Sequence, residues 1–120
     1  MTVDRAPEVL ELYEAILDTE GFKVSSHQTV SINVPKVKDI KPDLVITDYL
    51  FENEEEGRKF IQELRQEGAT RHVPVIICTT ATRQIQNLKD LLQVERISII
   101  SKPFDLNEFV GAVYAALNDN

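Results

Sequence analysis

Three stretches of the chain are apolar at successive positions: "DLVIT" at 43–47, "VPVIICT" at 73–79 and "RISII" at 96–100. A sheet with one wet side would alternate, so these runs predict strands covered on both faces. Helical spacing fills the gaps between them. Phe60, Ile61 and Leu64 fall on one side of "EEEGRKFIQELRQEG", and Ile85, Leu88 and Leu92 on one side of "TRQIQNLKDLLQ". Near the start, "PEVLELYEAILDTEG" places Pro7 in a first turn. Val9, Leu12 and Ile16, with Leu10 and Leu17, recur at helical intervals, and Gly21 stops the helix. "FKV" and "QTVSI" are short β-prone pieces with a polar stretch between them, and "NVPKVKDIK" has room for a short helix with Pro35 at its beginning. A last helix begins at Asp105, where Glu108 completes a capping box, and carries Leu106, Val110, Val113 and Leu117 as a stripe. Strands alternating with helices predict an α/β fold: a doubly wound parallel sheet with right-handed crossovers and helices on both faces.

Composition narrows the class. The 120 residues suit a single domain over 1–120, and 42% hydrophobic with 28% charged residues is the balance of a globular chain. A net charge of −7 opposes binding to nucleic acid or anionic lipid. No apolar run approaches the ~20 residues of a membrane helix, and the N-terminus has no secretory pattern. The single cysteine, Cys78, reads as a buried reduced thiol, and the expected location is cytoplasmic. The sequence has no zinc-type Cys/His cluster, no Gly-rich phosphate loop and no repeat.

In open parallel sheets ligands bind beyond the carboxyl ends of the strands. That rule selects Asp48 after "LVIT", Thr79 at the end of "VPVIICT", and Lys102 after "ISIIS". A carboxylate, a hydroxyl and an ammonium at one crevice suit a phosphoryl group. The carboxylate is the nucleophile, and the other two hold the charged oxygens. Pro103 restrains the backbone around Lys102, which is expected to point at Asp48. Each residue also has a plainer reading: Asp48 as a turn cap, Thr79 as a strand former, Lys102 as the partner of Asp48 in an ion pair without chemistry. His27 and His72 read as surface residues, and "ENEEEG" as a solvated loop leading into a helix.

"KPDLVITDYL", "VPVIICTTA" and "SKPFDLNEF", in this order and spacing, resemble the receiver domains of two-component response regulators, over nearly the whole chain. The resemblance, rather than the alternation, implies a flavodoxin-like sheet in the order 2-1-3-4-5. It implies that Asp48 is the phosphoacceptor, that Thr79, Thr80 and Lys102 are the phosphoryl-binding and switch positions, and that Mg2+ is held by Asp4, Asp48 and the backbone carbonyl of Leu50. It implies a signalling domain that catalyses phosphoryl transfer onto itself only, and is otherwise no enzyme. The donor would be a sensor histidine kinase or a phosphotransfer protein. The output partner or dimer surface would lie on the 85–101 face with the last helix.

Departures from that pattern carry expectations of their own. The first strand is truncated or atypical: "MTVDRAPEV" offers one acid where the family has two. Asp4 stands for either acid; in one register Arg5 takes the usual metal-ligand place, in the other Val3 does. The ion is therefore expected to bind weakly, and Arg5 can instead turn toward Asp48 as a substitute cation. A short first strand predicts a stub at Met1–Val3, closure of "QTVSI" on "DLVIT", or an edge supplied by a second chain, with lowered stability or association. Thr80 puts a branched side chain where the family has alanine or glycine and narrows access to Asp48. Ile99 stands in place of an aromatic switch residue, and "FENEEEG" lacks the familiar proline. The alternative function is a receiver-like interaction module that has lost efficient Mg-dependent phosphorylation.

Overall fold

Five parallel strands lie side by side in the order β2-β1-β3-β4-β5. They are β1 (Thr2–Val3), β2 (Ser26–His27), β3 (Val45–Thr47), β4 (Val75–Thr79) and β5 (Ile97–Ser101). The structure, a computed structural model, describes residues 1–29, 32–48, 54–80 and 96–118. Four helices are seen among them: α1 (Pro7–Thr19), α2 (Val34–Ile40), α3 (Glu54–Gln66) and α4 (Leu106–Asn118). The helix expected over "TRQIQNLKDLLQ", the Leu50 carbonyl and most of the 85–101 face lie outside the described residues.

Strand parity sorts the core into two layers, because successive side chains leave opposite faces of a sheet. Val45, Val75, Ile77 and Ile97 pack with Val34 and Val37 of α2 and with Phe60, Ile61 and Leu64 of α3. Ile46, Ile76, Cys78 and Ile100 face the other way, onto Tyr13 and Leu17 of α1 and Phe109, Val113 and Ala116 of α4. This is why the strands read as unbroken apolar runs.

Two helices bury most of the expected residues but turn one expected leucine of each outward. In α1 the buried line is Leu10, Tyr13 and Leu17, whereas Leu12 is 51% exposed. In α4 it is Phe109, Val113 and Ala116, whereas Leu106 is 58% exposed. Both shifts bring an aromatic ring inward, and Tyr13 and Phe109 stack at 5.2 Å. A ring buries more apolar surface than the leucine left outside, which favours this arrangement. The helix ends follow local chemistry as expected. Asp105 Oδ1 accepts from the Glu108 amide at 2.7 Å, and Asn33 Oδ1 from the Lys36 amide at 2.9 Å.

The first strand is indeed short, and it takes the stub route. Thr2 pairs with Ser26 on one side and Ile46 on the other, and Val3 with His27 and Thr47. β3 is paired with β1 on one side and β4 on the other, so the second strand does not close on "DLVIT"; residues 30 and 31 of "QTVSI" lie outside the described residues. The second strand also falls between the two β-prone pieces, on the polar Ser26–His27. Backbone pairing decides this: the Thr2 and Asp4 amides donate to the carbonyls of Ser25 and His27 at 2.8 and 3.2 Å. Phe22 and Val24 instead turn side chains toward the α1–α4 layer. Below the two-residue strand a groove of about 560 Å³ opens between Leu17, Phe22, Ile46 and Leu117.

Candidate functional site

Register brings the strand ends close together: beyond the rung of Val3, Thr47, Ile77 and Ile99, Asp4 and Asp48 lie one residue on, Thr79 two and Lys102 three. Val3 lies opposite Thr47, Thr47 opposite Ile77, and Thr79 opposite Ser101. The residues that follow or end the strands, Asp4, Asp48, Thr79 and Lys102, therefore form one row along the carboxyl edge of the sheet. The Lys102 amide donates to the Thr79 carbonyl at 3.0 Å, which continues the β4–β5 ladder one step and fixes the lysine beside the threonine. Thr79 is buried and Thr80 exposed. The branched Thr80 side chain thus stands on the surface next to the row.

Lys102 does not point where the sequence suggested. Its Nζ meets Asp4 Oδ2 at 3.0 Å, so the expected pairing with Asp48 is replaced by a pair with the acid of the first strand. Asp4 is only 1% exposed, and its other oxygen, Oδ1, accepts from the Ala6 amide at 3.0 Å. A buried carboxylate is costly unless its lone pairs are met, and Lys102 supplies both charge and donor. Asp48 faces a different cation: Arg5 Nε lies 3.8 Å from Asp48 Oδ2. The Arg5 side chain is 55% exposed and that of Asp48 12%, so the guanidinium reaches from solvent onto a mostly sheltered carboxylate.

An aromatic floor lies under the row. Phe104, two residues after Lys102, stacks on Phe109 at 5.1 Å and on Tyr13 at 6.3 Å. The intervening Lys102–Pro103 peptide is cis. The Tyr13 hydroxyl is buried without a hydrogen bond of ordinary geometry. Burial first, then the neighbouring Cys78, Asp4 and Asp48, push its ionisation far above the usual range. Burial likewise raises the Cys78 thiol to about 11, which leaves it unreactive as a nucleophile near neutrality. Sequence reading overlooked Tyr13, although its spacing from Leu10 and Leu17 is helical.

The donor set is a poor match for magnesium, which wants several free oxygen ligands in near-octahedral order. Both Asp4 oxygens are engaged, Asp48 faces a guanidinium, and no group of three acidic, histidine or cysteine side chains converges among the described residues. As these side chains stand, they do not fit the ion. Val3 is wholly buried in β1, so the substitution that bears on this edge is Arg5.

The chain matches, over residues 1–114, the model of the family described as response regulator receiver domain. It is 26% identical over 114 residues to the phosphate regulon transcriptional regulatory protein PhoB of Escherichia coli, a span covering 95% of this chain and 48% of that protein. It is 28% identical over 120 residues to the DNA-binding response regulator MtrA of Mycolicibacterium smegmatis, covering 100% of this chain and 50% of MtrA. The chain thus spans about half the length of these curated relatives. Among solved structures it superposes on the chemotaxis response regulator CheY4 of Vibrio cholerae with a TM-score of 0.78 at 16% identity, over 96% of this chain and 94% of that one. For the receiver domain of NtrX from Brucella abortus the TM-score is 0.78 at 20% identity, with 99% and 98% covered. These structural likenesses speak for the fold alone.

Proposed function

The chain belongs to the response regulator receiver domain family, and from that premise we propose that it is a phosphorylatable signalling switch with Asp48 as phosphoacceptor. One observation carries the reading: Asp48, Thr79 and Lys102 end or follow three adjacent strands within two residues of one level, and the Lys102 amide bonds to the Thr79 carbonyl. A carboxylate oxygen of Asp48 attacks the phosphorus of a phosphohistidine on a sensor kinase or phosphotransfer protein. The P–N bond breaks as the P–O bond forms, and the imidazole leaves as the neutral ring when its other nitrogen carries the proton. The product is an aspartyl phosphate, bearing about −1.5 to −2 charges by analogy with other phosphorylated side chains. The Thr79 hydroxyl and the Lys102 ammonium hold that charge, with Lys102 moving from Asp4 to the new group. The chain acts only on itself.

Release of Lys102 from Asp4 gives the switch its two arrangements, which the phosphoryl group biases. The 85–101 face with α4 is the proposed output or dimer surface. The net charge of −7 disfavours direct binding of nucleic acid by this chain. No described helix is long and apolar enough to cross a membrane, and a cytoplasmic location belongs to the proposal.

Intact-mass measurement after incubation with acetyl phosphate, with and without magnesium, tests the assignment. The wild type is expected to gain one phosphoryl group, labile to hydroxylamine, and Asp48→Asn to gain none. An unchanged gain in Asp48→Asn would sink it, and no gain in the folded wild type would favour the interaction-module reading.

A further inference from the structure

We propose that Arg5 is a built-in counter-cation for Asp48, so that this site takes its phosphoryl group without a divalent metal. The inference rests on the reading of Asp48 as phosphoacceptor and adds how the site is charged. Three observations carry it. Arg5 Nε lies 3.8 Å from Asp48 Oδ2, within reach of any oxyanion built on that oxygen. The acid that would share an ion with Asp48, Asp4, is instead engaged at both oxygens, by the Lys102 ammonium and the Ala6 amide. The described residues offer no further acidic side chain to complete a metal shell.

The chemistry of the guanidinium suits the task. It is charged at all accessible pH values and presents a planar fork of donors that matches two oxygens of a phosphoryl group. Its exposure allows it to swing with the incoming group without opening the core, since the side chain is 55% accessible. With acetyl phosphate as donor, an Asp48 oxygen attacks phosphorus and the bond from phosphorus to the bridging oxygen breaks. Acetate leaves with the electron pair, so no proton or added reductant is required. Arg5 stays paired to the charge as it moves from the carboxylate to the phosphoryl oxygens.

The test follows the rate of mass gain with acetyl phosphate in excess chelator and in magnesium, for the wild type, Arg5→Gln and Arg5→Asp. Magnesium titrations by calorimetry run beside it. Wild-type rates in the two buffers are expected to agree within about threefold, far less than the roughly hundredfold that one preorganised donor contributes. Arg5→Gln should fall by roughly that hundredfold in chelator. Arg5→Asp should fall as far in chelator, recover in magnesium, and bind the ion more tightly than the wild type. A wild type modified at Asp48 only in magnesium overturns the proposal and leaves Asp48 as phosphoacceptor. Equal rates for wild type and Arg5→Gln in chelator also overturn it, as does an Arg5→Asp chain whose magnesium affinity is unchanged. Absence of modification in both buffers, with the chain folded by circular dichroism, overturns this proposal and the phosphoacceptor reading together.

Discussion

Removing the Lys102 ammonium would strip a carboxylate that is 1% exposed of its cation and leave it the hydrogen bond from the Ala6 amide. Lys102→Ala is therefore expected to lower folding stability by about 3 kcal/mol, where the range for a stranded buried polar group meets that for a broken buried ion pair. Asp4→Asn combined with Lys102→Ala should recover part of that loss, and a double-mutant cycle in denaturant measures the coupling. Additive losses would show that the pair at 3.0 Å contributes nothing beyond its separate groups. The candidate positions themselves are legible in the sequence, because a polar residue after a run buried on both faces must be a strand end. Their pairing is not. Which carboxylate Lys102 reaches depends on where β1 ends, and two residues of strand leave almost no pattern in a sequence.

Element boundaries are legible wherever a local rule decides them. Gly21 adopts φ 89 just past the α1 C-cap, and a Cβ there would meet no atom within 4 Å. Gly21→Ala is thus expected to cost about 1 kcal/mol through backbone conformation alone, read as a shift of the denaturation midpoint with an unchanged slope. No shift would mean that the turn relaxes freely. The faces of the helices are less legible, since α1 and α4 each contain two overlapping apolar lines. Tertiary packing chose those containing Tyr13 and Phe109 over those containing Leu12 and Leu106. The second strand is hidden altogether, because Ser26 and His27 owe their extended pairing to neighbouring backbone and not to β-prone side chains.

Over the whole molecule, the alternation of strand and helix is enough for the α/β class, while the strand order comes from resemblance to relatives. The two-residue β1 in the interior of that sheet has a consequence in time. Amides along β3 donate alternately to its two neighbours: Val45 to the Pro74 carbonyl on the β4 side, Ile46 and Asp48 to Met1 and Val3. The β3–β4–β5 half pairs over longer stretches than the β2–β1 edge, so sub-global opening should begin at β1. Native-state hydrogen exchange is expected to split one strand in two, with Ile46 and Asp48 exchanging well before Val45. Uniform protection along β3 would exclude such a separate opening unit. Because Asp4 follows directly on β1 and holds Lys102, every such opening also frees the lysine. The lifetime of the resting site is then set by the most weakly anchored strand, not by the strength of its own ion pair.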